Sequence, residues 1–167
     1  MMPQPIYKLE NDTLHYWEIW EEEDHYVMHW GVMGEKGEVQ AIDSIFGASQ
    51  RIVNKMIDDK LAKGYDILDF ASALVVVYPM NSNYTNLSGK EEELVGWLSD
   101  FLGWRGLGTT AGHTENENNL EITCYVVDFI KTSELVTAGL SETNFGSPTQ
   151  ILQREIPVAE EETDQDL

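Results

Sequence analysis

Two strands and the turn between them lie in residues 14–33, LHYWEIWEEEDHYVMHWGVM. Trp17 and Ile19 alternate with Glu18, which is typical of a sheet with one buried face and one solvated face. Four consecutive acids, Glu21 to Asp24, interrupt the apolar pattern and predict the turn. The stretch therefore predicts two neighbouring strands of an antiparallel meander.

The meander extends in both directions from this hairpin. Further strands are predicted at residues 6–9 and 38–42, because turn-forming residues separate each of them from its neighbour. A helix is predicted over residues 44–63, with Gly64 just past its end. Its apolar stripe, spaced to face a sheet, consists of Ile45, Ala48, Ile52, Val53, Met56, Ile57 and Leu61. Residues 1–68 are thus predicted to form one domain, an antiparallel sheet with one helix.

The second half has a different pattern, in which predicted strands and helices are interspersed. Strands are predicted at residues 73–80, 120–127 and 149–156, and helices at 88–103 and 130–142. If a further short strand exists near residues 105–110, the element order is βαββαβ, the ferredoxin-like arrangement of an α/β sandwich. The prediction for the whole chain is the α+β class, with a second domain at residues 69–156. The apolar joint around residues 67–73 predicts that the two domains pack together and leave a groove between them.

Charge is the most unusual property of the composition. The 167 residues carry 30 acids against 10 Lys and Arg, a formal net charge of −20, while 42% are hydrophobic. That hydrophobic content predicts a folded chain, except for an acidic tail at residues 157–167 that is predicted to be disordered. No apolar run reaches ~18 residues, so no membrane span is predicted, and the expected location is the cytoplasm. The negative charge favours basic protein partners and disfavours nucleic acid.

The first domain resembles the WGR family over about residues 6–66. The matching segments, in chain order, are Tyr7-Lys8-Leu9, Tyr16-Trp17-Glu18-Ile19, His29-Trp30-Gly31-Val32-Met33-Gly34 and Lys60-Leu61-Ala62-Lys63-Gly64-Tyr65. WGR domains occur alone in bacterial proteins and beside the catalytic domain of DNA-dependent poly(ADP-ribose) polymerases, where they help to bind DNA ends and relay contacts between domains. The resemblance implies structural roles for Trp17, Trp30, Gly31, Gly34, Gly64 and Tyr65. Val32 stands where the family has its name-giving arginine, which argues against DNA binding, and no polymerase catalytic domain is present.

The residues that could carry chemistry do not form a recognisable catalytic or metal-binding pattern. His25 and His29 are four apart in a predicted strand, which places them ~13 Å apart, too far to share one metal ion. Cys124 lies in an apolar strand and is predicted to be a buried structural thiol; a nucleophile assisted by His113 is the alternative. The glycine-rich run 103–112 is predicted to be a flexible connection, because a helix precedes it and a polar loop follows it.

The acidic clusters are predicted to be solvated, with calcium binding as the alternative. No catalytic residue, cofactor or metal is therefore predicted. The predicted function is that of a non-enzymatic acidic module, an immunity- or antitoxin-type inhibitor of a basic toxin or enzyme domain. Its predicted partner-binding residues are Glu21, Glu22, Glu23, Asp24, Glu91, Glu92, Glu115 and Glu117, and residues 81–86 and 113–118 are predicted to be loops near the partner. The alternative function is DNA-end binding through Arg51, Lys55, Lys60 and Lys63.

Overall fold

The computed structural model describes residues 4–43, 49–80, 87 and 89–158. Within these ranges the chain forms two antiparallel sheets and three helices, which confirms the predicted α+β class. None of the described helices has the length and hydrophobicity needed to cross a bilayer. The predicted loop at 81–86 and the tail beyond residue 158 lie outside the described residues, whereas Pro157 and Val158 are exposed.

The first sheet has five strands in the order β4-β3-β2-β1-β5. Its four longer strands lie close to the predicted positions, and the two-residue fifth strand falls at the start of the predicted joint between the domains. It pairs with β1, so the chain after the first helix returns to the edge of this sheet. The strands are β1 (Ile6–Glu10), β2 (Thr13–Glu22), β3 (His25–Val32), β4 (Glu38–Asp43) and β5 (Asp66–Ile67).

Helix α1 (Ser49–Ala62) covers one face of this sheet. Val53 of the helix packs with Trp17 and Ile19 of β2, as the alternation predicts. The predicted apolar stripe is wrong at Ile52 and Leu61, which are 50% and 43% exposed, because the helix packs on the sheet through Val53, Met56 and Ile57. Ile45 and Ala48 lie outside the described residues.

The expectation that the other face of β2 is solvated is wrong. Tyr16 and Glu18 are both buried, because this face packs against the second half of the chain. Tyr7 Oη donates a hydrogen bond to the Gly106 carbonyl at 2.8 Å, and the Gly34 N–H donates to the Arg105 carbonyl at the same distance. We refer to this contact between the first sheet and residues 104–106 as the junction.

The second sheet has four strands in the order β7-β8-β6-β9, all antiparallel to their neighbours. The conditional strand is present as β7, and it is longer than predicted. It continues through His113 to Glu115, so the prediction of a polar loop at 113–118 is wrong for its first half; a strand paired with β8 satisfies these backbone groups. The elements are β6 (Ser72–Pro79), α2 (Glu91–Gly103), β7 (Gly108–Glu115), β8 (Asn119–Val126), α3 (Phe129–Ser141) and β9 (Gln150–Arg154).

The larger core lies between this sheet and helices α2 and α3. Buried leucines spaced four residues apart on α2 face the sheet, and Val136 and Leu140 do the same from α3. β6 is buried almost throughout, as expected for a central strand with a continuous apolar run. Met33 of the first half belongs to this same core, so the apolar packing continues across the junction.

Candidate functional site

The four acids of the turn in the first sheet form an exposed hairpin tip. The turn itself is only Glu23 and Asp24, because β2 and β3 pair up to Glu22 and His25. His25 Nδ1 lies 2.7 Å from Asp24 Oδ1 and Nε2 lies 3.4 Å from Glu22 Oε2. The hydrogen bond to Asp24 raises the pKa of His25, and the same contact lowers the pKa of Asp24. We refer to Glu21–Asp24 as the acidic hairpin.

The other predicted partner-binding residues lie elsewhere. Glu91 and Glu92 are in the first turn of α2, while Glu115 ends β7 and Glu117 lies in the β7–β8 turn. That turn is closed by Asn116, whose side chain accepts hydrogen bonds from two following N–H groups. Glu91 and Glu92 lie at the end of α2 opposite the junction, about 20 Å away at 1.5 Å per helical residue, and Glu115 and Glu117 lie at the far end of β7. The acidic hairpin is on the junction side, so the structure does not gather these acids into one site.

The residues that carry the family resemblance lie in β2 and β3, in the turn after β3 and just after α1. Trp17 is buried and Trp30 half-buried against α1. Gly34 and Gly64 have φ values of 98° and 96°, the left-handed region that favours glycine, and Gly64 lies just past the end of α1, as expected near a helix terminus. The Tyr65 ring, for its part, lies under the Lys60 ammonium group at 5.2 Å.

A buried polar network occupies the junction, and the sequence analysis did not predict it. Glu18 of β2 and His29 of β3 are cross-strand partners, 3% and 0% exposed. His29 Nδ1 lies 2.6 Å from Glu18 Oε1, and His29 Nε2 lies 2.5 Å from the Lys36 carbonyl. Tyr16 Oη donates to the Glu35 carbonyl at 2.7 Å and lies 3.1 Å from His29 Nε2. We refer to Tyr16, Glu18 and His29 as the junction network.

The acceptors around His29 determine its protons. A carbonyl oxygen can only accept, so Nε2 must carry a hydrogen facing Lys36. Nδ1 faces a carboxyl group, and one further proton is held between Nδ1 and Glu18. Burial by itself lowers the pKa of His29, but the hydrogen bonds to Glu18 and Lys36 raise it above its ordinary value. Burial raises the pKa of Glu18, opposed by the hydrogen bond and charge of His29.

An acid, a histidine and a hydroxyl in series resemble a catalytic relay, but this arrangement lacks a usable nucleophile. Tyr16 is fully buried, and burial followed by the charge of Glu18 raises its pKa well above the ordinary value. Its hydrogen is already donated to a backbone carbonyl. The network therefore joins β2, β3 and the turn before β4 rather than presenting a reactive group to substrate.

The alternative nucleophile, Cys124, also lacks the required setting. Its side chain is buried in the core between the second sheet and its helices, and burial raises the pKa of the thiol to about 12. His113 is exposed on β7, where its cross-strand partner is Ile122 rather than Cys124. A thiol of this kind is almost entirely protonated near neutral pH and is a poor nucleophile.

Among the residues described, no group of three or more His, Cys, Asp or Glu side chains is arranged to hold a metal ion. His29, one of the two histidines considered for such a role, is committed to Glu18 and Lys36, and His25 to the acids of its own hairpin.

A cavity of about 520 Å³ opens beside the junction. It lies between the ends of α2 and α3 and Lys36 of the turn before β4, so helices rather than two sheets wall it. This corrects the predicted groove: the helices cover the face of the second sheet that would otherwise have formed a wall. The carboxylates of Asp100 and Glu142 line the cavity, together with the guanidinium of Arg105.

We expect the junction network to give the protein a pH-dependent stability. Because the folded-state pKa of His29 is raised, its contribution is complete below the unfolded value of about 6.5 and is lost as pH rises through the folded value. The free energy of unfolding, measured by denaturant titration between pH 6 and 9, should fall with pH, and His29→Gln should flatten that slope. His25 adds a slope of the same sign. A slope in His29→Gln equal to that of the natural chain would contradict the expectation.

Comparison of the chain with protein-family models, with curated proteins and with solved structures finds no match.

Proposed function

We propose that this chain is a non-enzymatic, acidic protein-binding module of the immunity type, which binds a basic toxin or enzyme domain and neutralises it. One observation carries the proposal. Among the acids in the described residues, Glu18 is the only one that is buried. Apart from the pair of Glu18 and His29 in the junction network, the ion pairs of the described residues are those of Lys8 with Glu10, of Arg154 with Glu121 and of His25 with the acids of its hairpin.

Negative charge that remains at the surface can interact electrostatically with a binding partner. It attracts a basic protein over distances of about a Debye length and raises the association rate, while it repels nucleic acid. A module bound to the basic surface of a nuclease-type toxin would both cover that surface and compete with the phosphate backbone for it. Neutralisation then follows from occupancy and needs no chemistry from the module.

The acidic hairpin is the surface best placed to contact such a partner. Its strands pair without interruption from His15 and Val32 to the turn, so the tip is held by a continuous ladder. Glu21 and Glu23 are exposed, and no Lys, Arg or His nitrogen of the described residues lies within 4.0 Å of their carboxylates. Because the backbone of the hairpin is already ordered, only the side chains have to be fixed on binding, which favours affinity.

The finer fold belongs to the same proposal. We infer that the first sheet with α1 is WGR-like, supported by the packing of Trp17 and Trp30 against α1 and by Gly64 at its end. We infer that the second sheet with α2 and α3 is ferredoxin-like, supported by the order of its elements along the chain and by the antiparallel strand order β7-β8-β6-β9.

DNA-end binding remains the second candidate, and one local feature favours it. Lys8, Lys60 and Lys63 lie close enough that the charges of Lys63 and Lys8, after burial, lower the pKa of Lys60. Lys60 is, however, packed over the Trp17 and Tyr65 rings, at 5.7 and 5.2 Å. The patch therefore offers fewer free ammonium groups than the sequence suggests.

The proposed function is tested by capturing the partner and measuring its kinetics. The natural chain serves as bait in a lysate of its own source cells, and the captured protein is identified and purified. We expect a cationic toxin or enzyme domain whose association rate falls at least about tenfold between low and physiological salt. A partner without basic character, or a rate that does not depend on salt, would contradict the proposal.

Charge reversal then tests the acidic hairpin. The triple variant Glu21→Lys, Glu22→Lys, Glu23→Lys should slow association with that partner by about tenfold or more at low salt, with an unchanged thermal transition. The matched control, which changes net charge equally, is Asp58→Lys, Glu134→Lys, Glu155→Lys at exposed positions elsewhere. Equal slowing in both variants would show that net charge matters and the hairpin does not.

Fluorescence anisotropy with a nicked duplex tests the second candidate function, DNA-end binding. That function would be preferred if the affinity for the duplex were tighter than ~10⁻⁶ M.

A further inference from the structure

The cavity beside the junction has the lining of a small-molecule site. Its volume, about 520 Å³, lies within the range of ~300–1,000 Å³ that is usual for ligand pockets. Three aromatic side chains, Trp97, Phe101 and Trp104, form its wall. All three are half-buried, so each ring leaves part of its surface facing the cavity.

The aromatic wall is held in place from behind. Trp97 and Phe101 are stacked with their ring centroids 4.7 Å apart. Trp104 packs edge-on against His29 at 4.9 Å and against Trp20 at 6.1 Å. The buried junction network therefore supports one side of the wall, and a planar ligand would meet rings that need little rearrangement.

Charged groups of both signs line the same cavity. The Arg105 guanidinium carbon lies over the Phe101 ring, 3.8 Å from its centroid, and Nη1 donates to the Phe101 carbonyl at 3.2 Å. This fixes the guanidinium, yet no carboxylate of the described residues lies within 4.0 Å of it. Asp100 and Glu142 likewise have no Lys, Arg or His nitrogen of the described residues within that distance.

We propose that this cavity binds a small zwitterionic aromatic molecule, of the α-amino-acid type. Its carboxylate would pair with Arg105, its ammonium group with Asp100 or Glu142, and its ring would stack on the Trp97–Trp104 wall. With Lys36 included, the lining charges sum to zero, whereas a simple anion would be repelled by the negative field of the chain. Bidentate geometry makes arginine well suited to a carboxylate.

A ligand at this position would connect parts of the chain that are distant in sequence. Lys36 belongs to the turn before β4, and its carbonyl accepts the hydrogen bond from His29. Gly139 of α3 approaches the wall so closely that a Cβ there would lie 2.7 Å from the Phe101 ring. The ligand would thus bridge the first sheet, α2 and α3 at the junction.

The test is a titration of the full-length, ¹⁵N-labelled chain with L-phenylalanine, followed by NMR. The indole N–H signals of Trp97 and Trp104 should shift together and saturate, with a dissociation constant on the order of 1 mM or tighter. Trp17, which packs against α1 on the other face of the first sheet, is the internal control and should not shift. Absence of a saturable shift, or equal shifts of all indoles, would overturn the proposal.

Ligand analogues identify the groups that are recognised without altering the protein. Phenethylamine lacks the carboxylate, 3-phenylpropionate lacks the ammonium group and alanine lacks the ring; each should bind at least about tenfold more weakly. Arg105→Gln should weaken L-phenylalanine binding to a similar extent, whereas Arg154→Gln on β9 should not change it. Binding of any of the three analogues as tightly as L-phenylalanine would overturn the proposal even if Arg105→Gln failed to fold. The result is independent of the partner-binding test, which probes a different surface.

Discussion

Replacing Glu18 by alanine should lower the free energy of unfolding by about 3–5 kcal/mol, measured by urea denaturation at pH 7. The change leaves the fully buried His29 without the carboxyl group that lies 2.6 Å from Nδ1. The ring must then either remain a buried unpaired cation or lose a proton, and both alternatives are costly in a water-excluded site. A loss of about 3–5 kcal/mol is a large part of the free energy of unfolding of a typical domain.

The matched control is Glu121→Ala, which removes a carboxylate from a partly exposed pair with Arg154 at 3.1 Å. An exposed pair of this kind contributes up to about 1 kcal/mol. Glu18→Gln should fall between the two, because its amide oxygen can accept from Nδ1 but carries no charge to balance an imidazolium. A loss in Glu18→Ala no greater than in Glu121→Ala would show that the junction network contributes little.

Replacing Gly106 by alanine should lower the free energy of unfolding by about 2–5 kcal/mol. Gly106 has a φ of 61°, which a residue with a Cβ adopts only with strain, and the added Cβ would lie 2.5 Å from Tyr16 Cδ1. The Tyr16 ring cannot move aside without breaking the hydrogen bond from its hydroxyl to the Glu35 carbonyl. Thermal and urea unfolding of the purified variant measure the effect.

Gly146 provides a close control for this change. Its φ is 70°, yet a Cβ there would meet no atom within 4 Å. Gly146→Ala should therefore show the backbone strain alone, about 1–2 kcal/mol. The additional loss in Gly106→Ala measures how tightly the junction is packed against Tyr16, and equal losses in the two variants would mean that the clash is relieved at no cost.

Local pattern accounts for the elements that were predicted well. The alternation around Trp17 and Ile19 and the turn residues after each strand place β1 to β4 within about three residues of their observed ends. The continuous apolar run of β6 and the spaced leucines of α2 are local signals of the same kind. The two-residue β5 carries no such signal, because it is a strand only through its pairing with β1.

The register between β2 and β3 is the feature of the site that the sequence pattern did not predict correctly. The prediction took Glu21 to Asp24 as the turn, whereas Glu21 and Glu22 still belong to β2 and the turn is two residues long. A two-residue turn at Glu23 and Asp24 places Glu18 directly opposite His29, and that count could have been made from the sequence. The burial of Glu18 and His29 could not have been predicted in this way, because it depends on packing against residues 104–106, which are distant in sequence.

Composition and local order can therefore be read from the sequence: the charge of −20, the α+β class and most strands and helices. Which charges are buried and which surfaces exist depends on the tertiary packing. Glu18 is buried while the acidic hairpin, which begins three residues later, is exposed, because Glu18 pairs with His29 beneath residues 104–106 and the hairpin extends beyond them. Burial is set by contacts between segments almost a hundred residues apart, such as Tyr7 and Gly106, and no local pattern encodes such contacts.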